Sequence, residues 1–166
     1  MAADGERNVL ERPEFDRPVK LLVVVAPYYQ DIAEDLVAGA QAEIEAAGGG
    51  FDVVEVPGVL EVPTAIAMAD RLSSFDGYVA LGCVIGAAEL AGQAAHGLTM
   101  LGLGGLAVGN GIVTAKTRAD VTGAQDKGAQ AAAAALHLIA LRRKWGGSGK
   151  KVGFTPAGSY KIADRA

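Results

Sequence analysis

The sequence predicts one α/β domain, a three-layer α/β/α sandwich around a four-stranded parallel sheet. Three observations carry this. Short runs of continuous apolar, β-branched residues alternate with stretches whose apolar positions recur at helical spacing. The runs are unbroken rather than alternating, as in strands covered on both faces. The joints hold Gly-Gly-Gly, Pro-Gly and Asp-Gly, which stop one element before the next begins. Strands that alternate with helices lie parallel and are joined by right-handed crossovers.

Residues 1–18 read as an extended N-terminal segment, since Pro13 and Pro18 discourage a helix. The domain is expected over 19–145. Lys20–Ala26 (KLLVVVA) is the first strand. A helix then begins after Asp31, where Asp31 and Glu34 have capping-box spacing. Ile32, Leu36, Val37, Ala40 and Ile44 form its apolar face, and Gly48-Gly49-Gly50 ends it. Phe51–Val56 is the second strand, followed by the Pro57-Gly58 turn and a helix from after Pro63 to about Leu72. Asp76-Gly77 turns into the strand Tyr78–Ile85, and a helix is expected over Gly86–Leu103. Leu106–Thr114 is the fourth strand. Its Gly109-Asn110-Gly111 marks a place where a ligand or another backbone comes close. After the polar stretch Ala115–Asp126, an Ala-rich helix runs from Lys127 to about Trp145, with Arg142, Arg143 and Lys144 at its negative end. Gly146-Gly147-Ser148-Gly149 reads as a flexible joint, so 146–166 is expected to be a flexible tail.

Composition narrows the function. The chain has 166 residues, enough for one sizeable core. A net charge of −4 without a basic stripe argues against nucleic acid as a partner. The first twenty residues contain no apolar signal segment, and no apolar run has membrane-spanning length. The single cysteine, Cys83, excludes an internal disulfide and fits a reducing compartment, so a cytoplasmic protein is expected. No set of His, Cys and carboxylates has metal-ligand spacing, and no metal is expected.

The candidate chemistry lies at strand ends, where ligands of open α/β sheets gather. Glu61 follows the Pro57-Gly58 turn, placed to read a polar ligand, against the plainer reading of a solvated loop carboxylate. Tyr28 and Tyr29 follow the first strand; one of them offers a flat face to a heterocycle, unless both simply pack on neighbours. Lys127 opens the last helix, where a lysine beside free N–H groups holds a phosphate, and Arg118 is placed to join it. His96 is a candidate acid or base, and His137 reads as a core or interface residue.

Five stretches together resemble the lumazine synthase family: 21–40 (LLVVVAPYYQDIAEDLVAGA), 54–65 (VEVPGVLEVPTA), 75–85 (FDGYVALGCVI), 105–114 (GLAVGNGIVT) and 125–145 (QDKGAQAAAAALHLIALRRKW). The Val-Pro-Gly-x-x-Glu-x-Pro element is the most specific. The resemblance implies condensation of 5-amino-6-(D-ribitylamino)uracil with 3,4-dihydroxy-2-butanone 4-phosphate in riboflavin biosynthesis, without a cofactor. It also implies a homo-oligomer, a pentamer or a multiple of pentamers, with sites between adjacent subunits. It places Tyr28 on the pyrimidine ring and Val59, Leu60 and Glu61, with Gly58 of the same turn, at the ribityl chain. Cys83, Val84 and Ile85 fall beside the heterocycle, Asn110 on the pyrimidine side, and Lys127 near the phosphate.

Two segments depart from the family pattern. After Val84-Ile85 the family continues with Arg-Gly, small residues, a catalytic histidine and an acidic residue. This chain reads Gly86-Ala87-Ala88-Glu89-Leu90-Ala91-Gly92-Gln93, and matching the helix at His96-Gly97-Leu98 requires a gap. Between Thr114 and Lys127 the chain is again several residues short, in the segment that supplies the phosphate-binding arginine; Arg118 is the arginine present there. Two further readings follow: a natural or engineered scaffold or cage subunit that has lost turnover, or a relative that holds a flavin or lumazine without reacting it. The Gly-Gly-Ser-Gly joint resembles an engineered linker.

Overall fold

A computed structural model describes residues 8–147; the expected tail lies outside these, apart from Gly146 and Gly147. The elements run β1 (Lys20–Ala26), α1 (Gln30–Ala46), β2 (Gly50–Glu55), α2 (Glu61–Leu72), β3 (Gly77–Ile85), α3 (Ala88–Leu103), β4 (Val108–Ala115) and α4 (Ala124–Gly147), with a 3-10 turn at Arg118–Asp120. The strands pair in the order β2-β1-β3-β4, all parallel.

Alternate residues of each strand feed two cores, one on each face of the sheet. Leu21, Val23, Val25, Val79 and Leu81 meet α1 and α4. Leu22, Val24, Ala26, Tyr78, Ala80 and Val84 meet α2 and α3. The continuous apolar runs of β1 and β3 therefore divide strictly by parity, and both strands are buried on both sides. β2 is different: as an edge strand it leaves Val53 and Val54 exposed in spite of its apolar sequence.

The close seat of α4 is built from glycines. A Cβ on Gly128 would stand 1.9 Å from the Leu36 carbonyl oxygen, and one on Gly39 would stand 1.8 Å from that of Gln125. The crossing of α1 and α4 is thus backbone against backbone at two reciprocal points. Gly109 does the same between β4 and α4, where a Cβ would lie 1.8 Å from the Ala131 oxygen. The backbone expected to approach Gly109-Asn110-Gly111 is that of α4.

Several boundaries differ from the sequence expectation for physical reasons. α2 starts at Glu61, before Pro63, because a first-turn proline gives up only an N–H that no helical bond needs. α1 starts at Gln30, and the Asp31–Glu34 capping box does not form. Glu34 instead accepts from Gln30 Nε2 at 3.0 Å, and Asp31 is engaged elsewhere. α1 closes as expected: Gly48, at φ +73°, places its N–H on Glu45 and that of Gly49 on Ile44, each at 2.9 Å. α4 begins at Ala124 and continues through Gly146 and Gly147, which were expected in a joint.

Residues 8–18 form neither helix nor strand and are strapped across the domain. Arg12 donates to both carboxylate oxygens of Glu43 at 2.9 and 3.0 Å. Arg143 lies over the Phe15 ring and donates to the carbonyls of Arg17 and Pro18.

The glycine seat gives a stability prediction. Gly128→Ala forces α1 and α4 apart and is expected to cost about 1–3 kcal/mol. Gly92→Ala, where an added Cβ meets nothing within 4 Å, is expected to gain helix propensity and leave stability unchanged or raised. Urea denaturation midpoints of both variants against the parent check this; equal midpoints for the two would contradict the packing described.

Candidate functional site

From β1 the chain crosses first to β2 on one side and later to β3 on the other, so the topology switches between β1 and β3. Crevices at the carboxyl ends of strands form at such points. Here a cavity of about 300 Å³ opens there, lined by Tyr28, Tyr29, Gly58, Val59, Cys83, Val84, Ile85, Ala87 and Leu90.

Each wall has a local cause. β3 delivers Cys83 and Val84, both buried, and Ile85 at the mouth. Gly82 admits the turn after β2, since a Cβ there would meet Val59 Cγ1 at 2.8 Å; Val59 can therefore lie against the sheet. Glu61, the first residue of α2, folds its carboxylate back over that turn, with Oε2 3.0 Å from where a Gly58 Cβ would stand. Gly86, at φ +73°, turns the chain so abruptly that α3 begins two residues later. Ala87 and Leu90 then close the cavity.

Three helix starts surround this cavity. The N-cap residues of α1, α2 and α3 are Tyr29, Leu60 and Ala87, and none makes a side-chain cap hydrogen bond. Two of the three line the cavity and the third adjoins Val59. The positive ends of three helices thus lie at or beside a largely apolar pocket, with Asp31 and Glu61 in the first turns of α1 and α2. Such a pocket suits a flat heterocycle with electronegative edges.

The rim carries a second cation source. Arg118, on its 3-10 turn, donates from Nη2 to Asp31 Oδ2 and lies 5.7 Å over the Tyr29 ring. Tyr29 in turn meets Tyr28 edge-to-face at 5.0 Å. The turn is pinned by Asp120, whose Oδ2 accepts from the Thr117 N–H at 3.0 Å and from its hydroxyl at 2.8 Å. The bond from Arg118 holds the Asp31 carboxyl below the usual range, helped by backbone N–H groups of the α1 start. The same bond raises Arg118 further. At Cys83, burial pushes the thiol up; Arg118 opposes this and Asp31 adds to it.

The structure brings Tyr28, Gly58, Val59, Cys83, Val84 and Ile85 to the cavity and puts Leu60, Glu61 and Arg118 on its borders. Tyr28 is 77% exposed, so one ring face is open to a ligand. Asn110 stands exposed on the edge strand β4, its Oδ1 accepting from the Ile112 N–H at 2.9 Å. Lys127 is exposed in the first turn of α4, and His96 is exposed on α3; neither lines the cavity. His137 is half-buried on α4, beside Val9, Leu10 and the Arg12–Glu43 pair. Sequence reasoning missed the wall residues Ala87 and Leu90 and the pairing of Asp31. That partner is 87 positions away, and only the α1–α4 crossing brings it near. Among the described residues, no group of His, Cys, Asp and Glu has a geometry that could hold a metal ion, and no helix is long and apolar enough to cross a membrane.

Fold and site together define a class: a parallel three-layer α/β protein with a heterocycle-sized cavity at the sheet's switch point. The family model for 6,7-dimethyl-8-ribityllumazine synthase matches residues 18–143. The chain belongs to that family. A Jannaschia sp. relative of that name is 47% identical, the match covering 95% of this chain and 94% of the relative. Relatives of the same name from Novosphingobium aromaticivorans and Erythrobacter litoralis are 45% and 43% identical, each match covering 76% of this chain and 98% of the relative.

Thiol labelling probes the cavity. With its thiol raised by burial, Cys83 stays protonated at neutral pH, and the thiolate that reacts appears only as pH rises. Its reaction with a disulfide reagent is expected to be far slower in the folded than in the urea-unfolded chain at pH 7, and to accelerate with pH. Arg118→Gln removes the one lowering influence and is expected to slow labelling at fixed pH. Equal rates folded and unfolded would place Cys83 outside the cavity wall.

Proposed function

We propose that the chain is a 6,7-dimethyl-8-ribityllumazine synthase, condensing 5-amino-6-(D-ribitylamino)uracil with 3,4-dihydroxy-2-butanone 4-phosphate and releasing phosphate and water. The observation that carries the reading is the cavity at the switch point, walled by the same segments that match the family. Tyr28 stacks on the pyrimidine, and the Gly58–Glu61 turn, with Val59 and Leu60, holds the ribityl chain. Cys83, Val84 and Ile85 form the wall beside the heterocycle. Arg118 and Lys127 receive the phosphate, and Asn110 and His96 act on groups brought by a neighbouring copy. The reading includes a homopentamer or a multiple of it in the cytoplasm. The exposed Val53 and Val54 of β2, with Leu60 and Tyr28, offer apolar surface for such a neighbour.

Catalysis here rests on placement. Holding two reactants in register removes much of the barrier to a bimolecular condensation. The lining carries no carboxylate, lysine or histidine, and its ionisable groups are the Tyr28 and Tyr29 phenols and the Cys83 thiol, so general acid–base help, typically about 10²–10⁴-fold, is limited at the walls. Slow turnover is therefore expected. The same observation favours a second reading, a subunit that holds a flavin or lumazine without reacting it.

Incubation with both substrates, followed at the lumazine absorbance band, separates the two. Formation above the buffer rate is expected, and Tyr28→Ala is expected to raise KM for the pyrimidine by roughly twofold to tenfold through lost aromatic contact. No excess over buffer, together with saturable riboflavin binding, would instead establish the second reading. A monomer in light scattering would refute the oligomer.

A further inference from the structure

We propose that Leu90, with Ala87, receives the two methyl groups of the lumazine ring, so that the site prefers the dimethylated ring to the same ring without them. The identity of the ring rests on the function proposed above; the apolar wall itself rests on geometry. Ala87 and Leu90 lie at the start of α3, where the Leu90 N–H donates to the Ala87 carbonyl at 3.0 Å, and both line the cavity. Leu90 is a member of neither buried core and keeps 38% of its surface exposed, so its apolar surface is open to a ligand. Tyr28 is the other lining residue with a large exposed apolar face. The side chains of Ala87 and Leu90 hold no hydrogen-bonding atom. An amino or carbonyl edge laid against them would lose its water without finding a partner, whereas a methyl group gains from the same burial.

The connectivity of the ring directs its methyl groups to this wall. In 6,7-dimethyl-8-ribityllumazine the ribityl position adjoins one methyl, and the second methyl follows it. In the proposed pose the Gly58–Glu61 turn holds the ribityl chain and Tyr28 covers a ring face. Val59 of that turn and Ala91 of α3 share the core on the α2–α3 face of the sheet, and Ala87 packs against it. The start of α3 is therefore the wall beside the ribityl turn, and the ring edge beside the ribityl group is the methylated one. The pyrimidine substrate carries an amino group and no methyl at this edge, so it gains nothing from Leu90. The wall strengthens the hold on the product rather than on the pyrimidine, and inhibition by product follows wherever turnover occurs.

The experiment titrates 6,7-dimethyl-8-ribityllumazine and 8-ribityllumazine, which lacks both methyl groups, into the full chain and its Leu90→Ala and Leu90→Met variants by calorimetry. The readout is the ratio of the two affinities. Burial of two methyl groups is expected to favour the dimethylated ligand by roughly fivefold to fifteenfold in the parent. In Leu90→Ala the ratio is expected to fall to about threefold or less, and Leu90→Met, which restores an apolar side chain of similar size, is expected to recover most of it. Alanine suits a helix and Leu90 lies outside both cores, so the variant keeps the fold. A merely structural role would weaken both ligands together and leave the ratio as it was. Equal affinities in the parent overturn the proposal, as does a ratio that survives Leu90→Ala or the absence of binding by either ligand. If the ratio and its loss are observed and no lumazine forms from the two substrates, the wall stands and the synthase reading falls. If lumazine forms and the methyl groups contribute nothing, the synthase reading stands and the wall falls.

Discussion

The geometry of the site depends on how closely α4 can approach its neighbours. Gly39 and Gly128 let the α1 and α4 backbones touch, and Gly109 lets α4 settle on β4. Any side chain at these positions would overlap a carbonyl oxygen, so the separation of the elements has little freedom. The segment from β4 to α4 must then span a fixed distance, and it carries Arg118. The start of α1, with Tyr29 and Asp31, is fixed by the same crossing. The contact between Asp31 and Arg118 thus stands next to the close α1–α4 packing, on the same face of the sheet.

The distribution of polarity follows from the two-sided sheet. No polar or charged side chain is buried among the described residues, so the interior carries no ionic cost and no buried catalytic group. The polar groups that border the cavity stand at the carboxyl edge, where strands end and helices begin. Glu61 sits over Gly58, the guanidinium of Arg118 sits over Tyr29, and the cavity between them is floored by Val59, Cys83 and Val84. An apolar floor with polar rims orients a flat ligand by its edges and excludes water from its faces.

Much of this was legible in the sequence because it is encoded locally. β1 was read at its true boundaries, since a doubly buried strand between Lys20 and Pro27 allows little else. The Gly48 stop of α1 and the turn before Glu61 were equally plain. What was not legible is long-range. Asp31 and Glu34 have the spacing of a capping box, and the local reading wins until Arg118 arrives from 87 positions away. Pro63 looked like a helix start because sequence alone does not tell a first-turn proline from a boundary. Lys127 and His96 were singled out by residue type, yet where they project depends on helix phase and on neighbours, and neither lines the cavity of the single chain. The exposure of β2 was hidden too, because an apolar run carries no mark of lying at a sheet edge.

The short passage from β3 to α3 sets what the site can offer. Gly86-Ala87-Ala88 holds no side chain that could carry protons, and α3 starts beside the cavity. Tyr29, Leu60 and Ala87 make no side-chain cap bond, and the positive ends of three helices lie at or beside one small volume. Backbone donors cannot accept or relay protons as a histidine does, but they favour negative charge and electronegative ring atoms without reorganising. A site built this way stabilises charge that develops on a bound heterocycle while leaving proton transfers to water or to the reactants themselves. Its chemistry is therefore weighted toward binding and orientation, and rate differences among relatives should follow what their β3–α3 passage adds to that common base.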